Sequence, residues 1–179
     1  MQRILLLALV VSLLYLPLYG LGFNTAAYFA GISPNSGVTG DFNGDGKLDL
    51  VIADSCQNSL CDTVGVVSVL LGNGDGTFHG ARKFQAGPAG TSALFVTAGD
   101  FNRDGRLDLL VINNGINLFG DVSVLLGNGD GTLQSGVSFP VGANPISVVV
   151  ADFNRDKATD LAVVSQIPNN VSVLLNTGP

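Results

Sequence analysis

Apolar residues fall along this chain in short runs bounded by Gly, Asn and Asp, and no extended segment shows helical spacing. The runs predict strands. Ala93–Ala98 and Ile146–Ala151 precede Asp-rich segments. Leu48–Ala53, Leu107–Asn113 and Thr159–Ser165 follow such segments, and Val66–Leu71, Val122–Leu126 and Val171–Leu175 come next. The tetrapeptide NGDG at Asn73–Gly76 and Asn128–Gly131 is a turn signal, because Asn, Asp and Gly tolerate positive φ. Fourth strands are expected within Thr77–Phe84 and Thr132–Val141.

The pattern repeats. GDFNGDGKLDLVIAD starts at Gly40, GDFNRDGRLDLLVIN at Gly99 and ADFNRDKATDLAVVS at Ala151. VSVLLGNGDGTF at Val67, VSVLLGNGDGTL at Val122 and VSVLLNTGP at Val171 follow in step. The period is 59 residues from Asp41 to Asp100 and 52 from Asp100 to Asp152. Four short strands per unit predict an all-β fold of propeller-like, antiparallel blades. The units span about 32–88, 89–143 and 144–179, and residues 23–31 supply a strand that would close the last one. Three blades are fewer than the roughly four to eight of a closed propeller. The expectation is therefore a partial or open propeller, which also allows a homo-oligomer or a piece of a larger propeller.

The candidate chemistry lies between the first and second strands of each unit. The first loop has the spacing D-x-N-x-D-G-x-x-D, with Asp41, Asn43, Asp45, the Lys47 carbonyl and Asp49 as oxygen donors. The second offers Asp100, Asn102, Asp104, the Arg106 carbonyl and Asp108. The third offers Asp152, Asn154, Asp156, the Ala158 carbonyl and Asp160. Hard oxygen donors on alternate residues of a tight loop suit Ca2+. Gly46 and Gly105 take the sharp turn at the sixth position, where the third loop has Lys157, so weaker binding is expected there. The twelfth positions, Ile52, Val111 and Val163, exclude an EF-hand, which needs Glu there.

Composition sharpens this reading. The chain has 179 residues, 14 acidic side chains and a net charge of −6. All the acidic residues are Asp, and nine of them stand at the loop positions just named. Carboxylates packed so closely repel one another unless a cation neutralises them. The acidic balance excludes nucleic acid as a partner. With one His (His79, in a turn context), no Glu and two Cys, neither a zinc site nor a recognisable catalytic set is available, so the chain reads as a non-enzyme.

DFNGDGKLDLVIA followed by VSVLLGNGDGTF resembles the FG-GAP or VCBS-type repeat, and is similar to the repeats of integrin α-subunit propellers. The resemblance covers residues 23–179. It implies blades of four antiparallel strands, with calcium held in the loop between the first and second strands by the residues above. The implied roles are adhesion and ligand binding, and the ligand is an unidentified protein or carbohydrate.

Residues 1–22, with Arg3 before an apolar run and Gly20 and Gly22 at the end, predict a signal peptide. An uncleaved membrane anchor is the competing reading. Cleavage would leave a secreted or periplasmic chain with no membrane association. In that oxidising setting Cys56 and Cys61 are expected to pair as a disulfide that pins a surface loop.

Overall fold

The computed structural model describes residues 25–55, 64–115 and 119–178. The signal peptide and the Cys56–Cys61 pair lie outside the described residues. Within them the chain forms eleven strands and no helix. Blade 1 contains β1 (Pro34–Gly40), β2 (Asp49–Asp54), β3 (Val66–Leu70) and β4 (Arg82–Gln85). Blade 2 contains β5 (Thr91–Gly99), β6 (Asp108–Gly115), β7 (Gly120–Leu125) and β8 (Val137–Val141). Blade 3 contains β9 (Ala143–Ala151), β10 (Asp160–Ile167) and β11 (Asn170–Leu174). Each blade is an antiparallel meander in chain order, and the three sheets stay separate. The architecture is that of a partial, open propeller.

The second strands occupy the middle of their sheets and are apolar on both faces, so the blades stack. Alternate residues of a strand point to opposite faces. Val51 and Ala53 of β2, with Val67 and Val69 of β3, pack on Leu109, Val111 and Leu125 of blade 2. Leu110, Ile112 and Val122, on the other face of blade 2, pack on Leu161 and Val163 of blade 3. One rule therefore covers both junctions. Counting from the Asp that opens each second strand, the even positions of one blade meet the odd positions of the next.

Sequence and structure differ in three places. The expected fourth strands begin late, at Arg82 and Val137. The residues before them close a small loop of their own: the Asn73 amide donates to the Thr77 carbonyl and the His79 amide to the Leu71 carbonyl. Only isolated bridges, Gly72↔Phe78 and Gly127↔Leu133, mark the expected first halves of these strands. β1 (PNSGVTG) has almost no apolar content, and it is a strand because it pairs with β2 from Gly40↔Asp49 to Pro34↔Asp54. Residues 25–33 form no strand.

Candidate metal centre

Each Asp-rich loop joins the first to the second strand of its blade, so all three loops leave their sheets at the same end of the strands. The chain there wraps around the first Asp. Asp41 accepts hydrogen bonds from the amides of Gly44 (2.8 Å), Asp45 (3.1 Å) and Gly46 (2.8 Å). Asn43 Oδ1 accepts from the Asp45 amide, and Asp45 Oδ1 from the Lys47 amide. The second loop repeats this: the Asp104 and Gly105 amides donate to Asp100, the Asp104 amide to Asn102 and the Arg106 amide to Asp104. The third repeats it again, with Asp156 and Lys157 amides donating to Asp152, the Asp156 amide to Asn154 and the Ala158 amide to Asp156.

This winding needs left-handed backbone at two positions. At the sixth, φ is 79° at Gly46, 82° at Gly105 and 72° at Lys157. The third loop therefore keeps the geometry of the other two, although a side chain stands where glycine is favoured. The fourth position is also left-handed, at Gly44 (φ 73°), Arg103 (61°) and Arg155 (66°), which the spacing alone did not reveal. Strain of this kind amounts to roughly 1 kcal/mol at a non-glycine residue. Lys157→Gly is therefore expected to stabilise the chain by about 1 kcal/mol in urea denaturation, and a destabilisation would contradict the strain at this turn.

The ninth-position Asp residues are placed differently from the others. Asp49, Asp108 and Asp160 open their second strands and are fully buried. Each carboxylate holds two backbone amides. Asp49 accepts from Phe42 (2.9 Å) and Gly72 (2.8 Å), and Asp108 from Phe101 and Gly127, both at 2.9 Å. Asp160 accepts from Phe153 (2.9 Å) and Asn176 (2.8 Å). Each thus ties the loop to the chain leaving the third strand. The approach is close: a Cβ at Gly72 or Gly127 would strike the Leu48 or Leu107 carbonyl.

Each loop is left with two carboxylates near its surface, an Asn oxygen and the seventh-position carbonyl. Among the described residues no three His, Cys, Asp or Glu side chains converge in a metal-holding group. The donors nevertheless fit a hard cation. An ionised carboxylate has about four lone-pair sites, so Asp41, with three amide partners, retains capacity. The fifth-position Asp residues stay ionised to lower pH than usual. The Lys47 amide is the main cause at Asp45, the Asn102 side chain at Asp104 and the Ala158 amide at Asp156. Lys47 Nζ lies 3.4 Å from Asp45 Oδ2, an exposed pair that neutralises part of one loop. Burial raises the Asp108 pKa, against the lowering effect of the Gly127 and Phe101 amides.

The family model of the FG-GAP-like repeat matches residues 41–111 and 112–163. The chain belongs to the FG-GAP-like repeat family. The two matched FG-GAP-like segments begin at the Asp41 loop and near the end of β6, and together take in all three Asp-rich loops. No curated protein matches the sequence.

A further polar position recurs in the FG-GAP-like units. Asp54, Asn113 and Ser165 each stand five residues after the Asp that opens the second strand, and all three are buried. Asp54 Oδ2 accepts from Ser68 Oγ (2.8 Å), and Asn113 Nδ2 donates to Asp121 Oδ1 and Ser123 Oγ, both at 2.9 Å. Aligning the repeats exposes this position as a polar residue ending an apolar run. His79 lies exposed beyond the first NGDG turn.

Proposed function

We propose that the chain is an exported, calcium-stabilised FG-GAP-like module that acts by binding or adhesion and catalyses no reaction. The observation that carries this reading is the recurrence, in three loops, of one oxygen-lined winding with the same amide pattern. Asp41, Asn43, Asp45 and the Lys47 carbonyl would hold the first ion, and Asp100, Asn102, Asp104 and the Arg106 carbonyl the second. Asp152, Asn154, Asp156 and the Ala158 carbonyl would hold a third, more weakly because Lys157 adds a positive charge. Asp49, Asp108 and Asp160 sit directly beneath and fix each loop on its sheet. Bound Ca2+ would supply charge neutralisation and a cross-link within each loop, and no reactive chemistry.

Repeats of this family typically occur in extracellular or periplasmic proteins, which agrees with an exported chain and a disulfide at Cys56 and Cys61. The ligand is a protein or a carbohydrate. Isothermal titration with CaCl2, after removal of divalent ions, is expected to show two sites plus a weaker third. Asp45→Asn and Asp104→Asn should each abolish one of the two, and Mg2+ should compete poorly. Absence of binding heat and of any bound calcium at millimolar concentration would sink the proposal.

A further inference from the structure

At the end of the strands away from the Asp-rich loops, a cleft of about 440 Å3 opens between the link from β4 to β5 and the β6–β7 hairpin. Asp121, at the start of β7, lines it together with Thr91, Ser138, Pro88, Pro140 and Phe119. Asp121 is 8% exposed. Buried charges are ordinarily paired with an opposite charge. Among the described residues no lysine, arginine or histidine lines this cleft. The lysines and arginines of those residues stand elsewhere: Lys47, Arg103, Arg106, Arg155 and Lys157 in the Asp-rich loops, Arg82 and Lys83 on β4.

The placement of protons decides what the cleft can take. Asp121 Oδ1 accepts from Asn113 Nδ2 (2.9 Å) and from Ser123 Oγ (3.1 Å), so Oδ2 is the oxygen left to a ligand. The single Ser123 hydroxyl proton is spent on Asp121. In the 2.6 Å contact between Ser123 and Ser138, Ser138 is therefore the donor. The Thr91 hydroxyl donates to the Pro88 carbonyl at 2.8 Å. Asp121, Thr91 and Ser138 are the polar side chains of the cleft, and all three offer a ligand only acceptor oxygens. Sugar hydroxyls both donate and accept, and anions only accept. The ligand that fits is one that only donates. With one carboxylate oxygen already engaged, the two-pronged grip of a guanidinium is lost. An ammonium, a point charge with three donors, suits the remaining acceptors. Pro88 and Pro140 supply apolar wall for an alkyl stem. The Phe119 ring, 78% exposed beside them, is open to a cation–π contact.

We propose that this cleft between blades 1 and 2 binds a lysine side chain of a partner protein. The ammonium sits against Asp121 Oδ2, with the Thr91 and Ser138 hydroxyl oxygens as further acceptors and the stem along the prolines. Asn113 and Ser123 act by positioning: they hold Oδ1 and so fix the carboxylate. The net charge of −6 favours the approach of a basic partner. The proposal rests on the reading of the chain as a binding module and names the partner chemistry for it. It draws nothing from calcium, because the cleft and the Asp-rich loops lie at opposite ends of the strands.

Amide chemical shifts of the full chain, titrated with Nα-acetyl-lysine methylamide, test this. Saturable shifts are expected at Thr91, Gly120, Asp121 and Ser138, in EDTA as in Ca2+. The Nε-acetylated probe, which has lost its charge, and methyl N-acetylglucosaminide should leave those amides in place. Asp121→Asn keeps an acceptor for Asn113 and Ser123 but removes the charge, and should weaken binding about tenfold or more. Phe119→Ala, at an exposed ring, should weaken it about threefold. The amide dispersion of each variant reports its fold in the same spectra. No saturable shift with the lysine probe overturns the proposal, and so does equal binding of the acetylated probe. Binding of the sugar at these residues, tighter binding of Nα-acetyl-arginine methylamide, or unchanged affinity in a folded Asp121→Asn also overturns it. Calcium titration reads the loops separately, so a failure of the calcium sites and a failure of the lysine cleft are told apart.

Discussion

Asp108→Ala is expected to destabilise the chain by about 3–5 kcal/mol, the largest effect of any single substitution in the loops. Two buried amides, those of Phe101 and Gly127, lose their acceptor together. A hydrogen bond to a charged group contributes roughly 1.5–3 kcal/mol, and a buried donor left unpaired costs about 1–3 kcal/mol. The desolvation that raises the Asp108 pKa offsets part of this. Asp108→Asn should be nearly as damaging, because an amide offers one acceptor oxygen and sets an NH2 group against the second donor. Asp104→Ala is the control. Asp104 is exposed and serves the loop surface, so in chelator its loss should matter much less. Urea denaturation in chelator separates the two roles. Equal effects of Asp104→Ala and Asp108→Ala would refute the division between a supporting and a cation-facing Asp.

The repeat made most of the fold legible. Apolar runs at matching offsets located the three central strands of the stack, and NGDG placed the turns after β3 and β7 correctly. β1 escaped because its seven residues contain only Val38 as a large apolar side chain, and its conformation comes from pairing with β2. The fourth strands were expected too early because Thr77 and Thr132 have strand character. Their amides and hydroxyls are instead taken up by Asp75 and Asp130 within the turn.

In the loops, spacing singled out Asp41, Asn43, Asp45 and their counterparts as candidate donors but set all three Asp on an equal footing. Where strand pleating begins, at Asp49, Asp108 and Asp160, the side chain turns inward, and only the structure shows this. Lys157 was legible as a glycine substitute. The left-handed residues at Arg103 and Arg155 were not, since arginine carries no turn signal.

The proposed role of calcium has a large thermodynamic consequence. An ion that binds only the folded chain stabilises it by about 2.7 kcal/mol per site when its free concentration is a hundred times the dissociation constant. Two such sites give roughly 5 kcal/mol. For a domain of this size each kcal/mol shifts the melting temperature by about 2–4 °C, so the combined shift is on the order of 10–20 °C. Loops with fewer ionised carboxylates would show less. The measurement is thermal unfolding, followed by circular dichroism, in EDTA, in Ca2+ and in Mg2+. Melting in Ca2+ should lie on the order of 10–20 °C above melting in EDTA, with Mg2+ close to EDTA and full recovery when calcium is restored. Superimposable melting curves in EDTA and in millimolar Ca2+ would show that the loops hold themselves together through their amides alone.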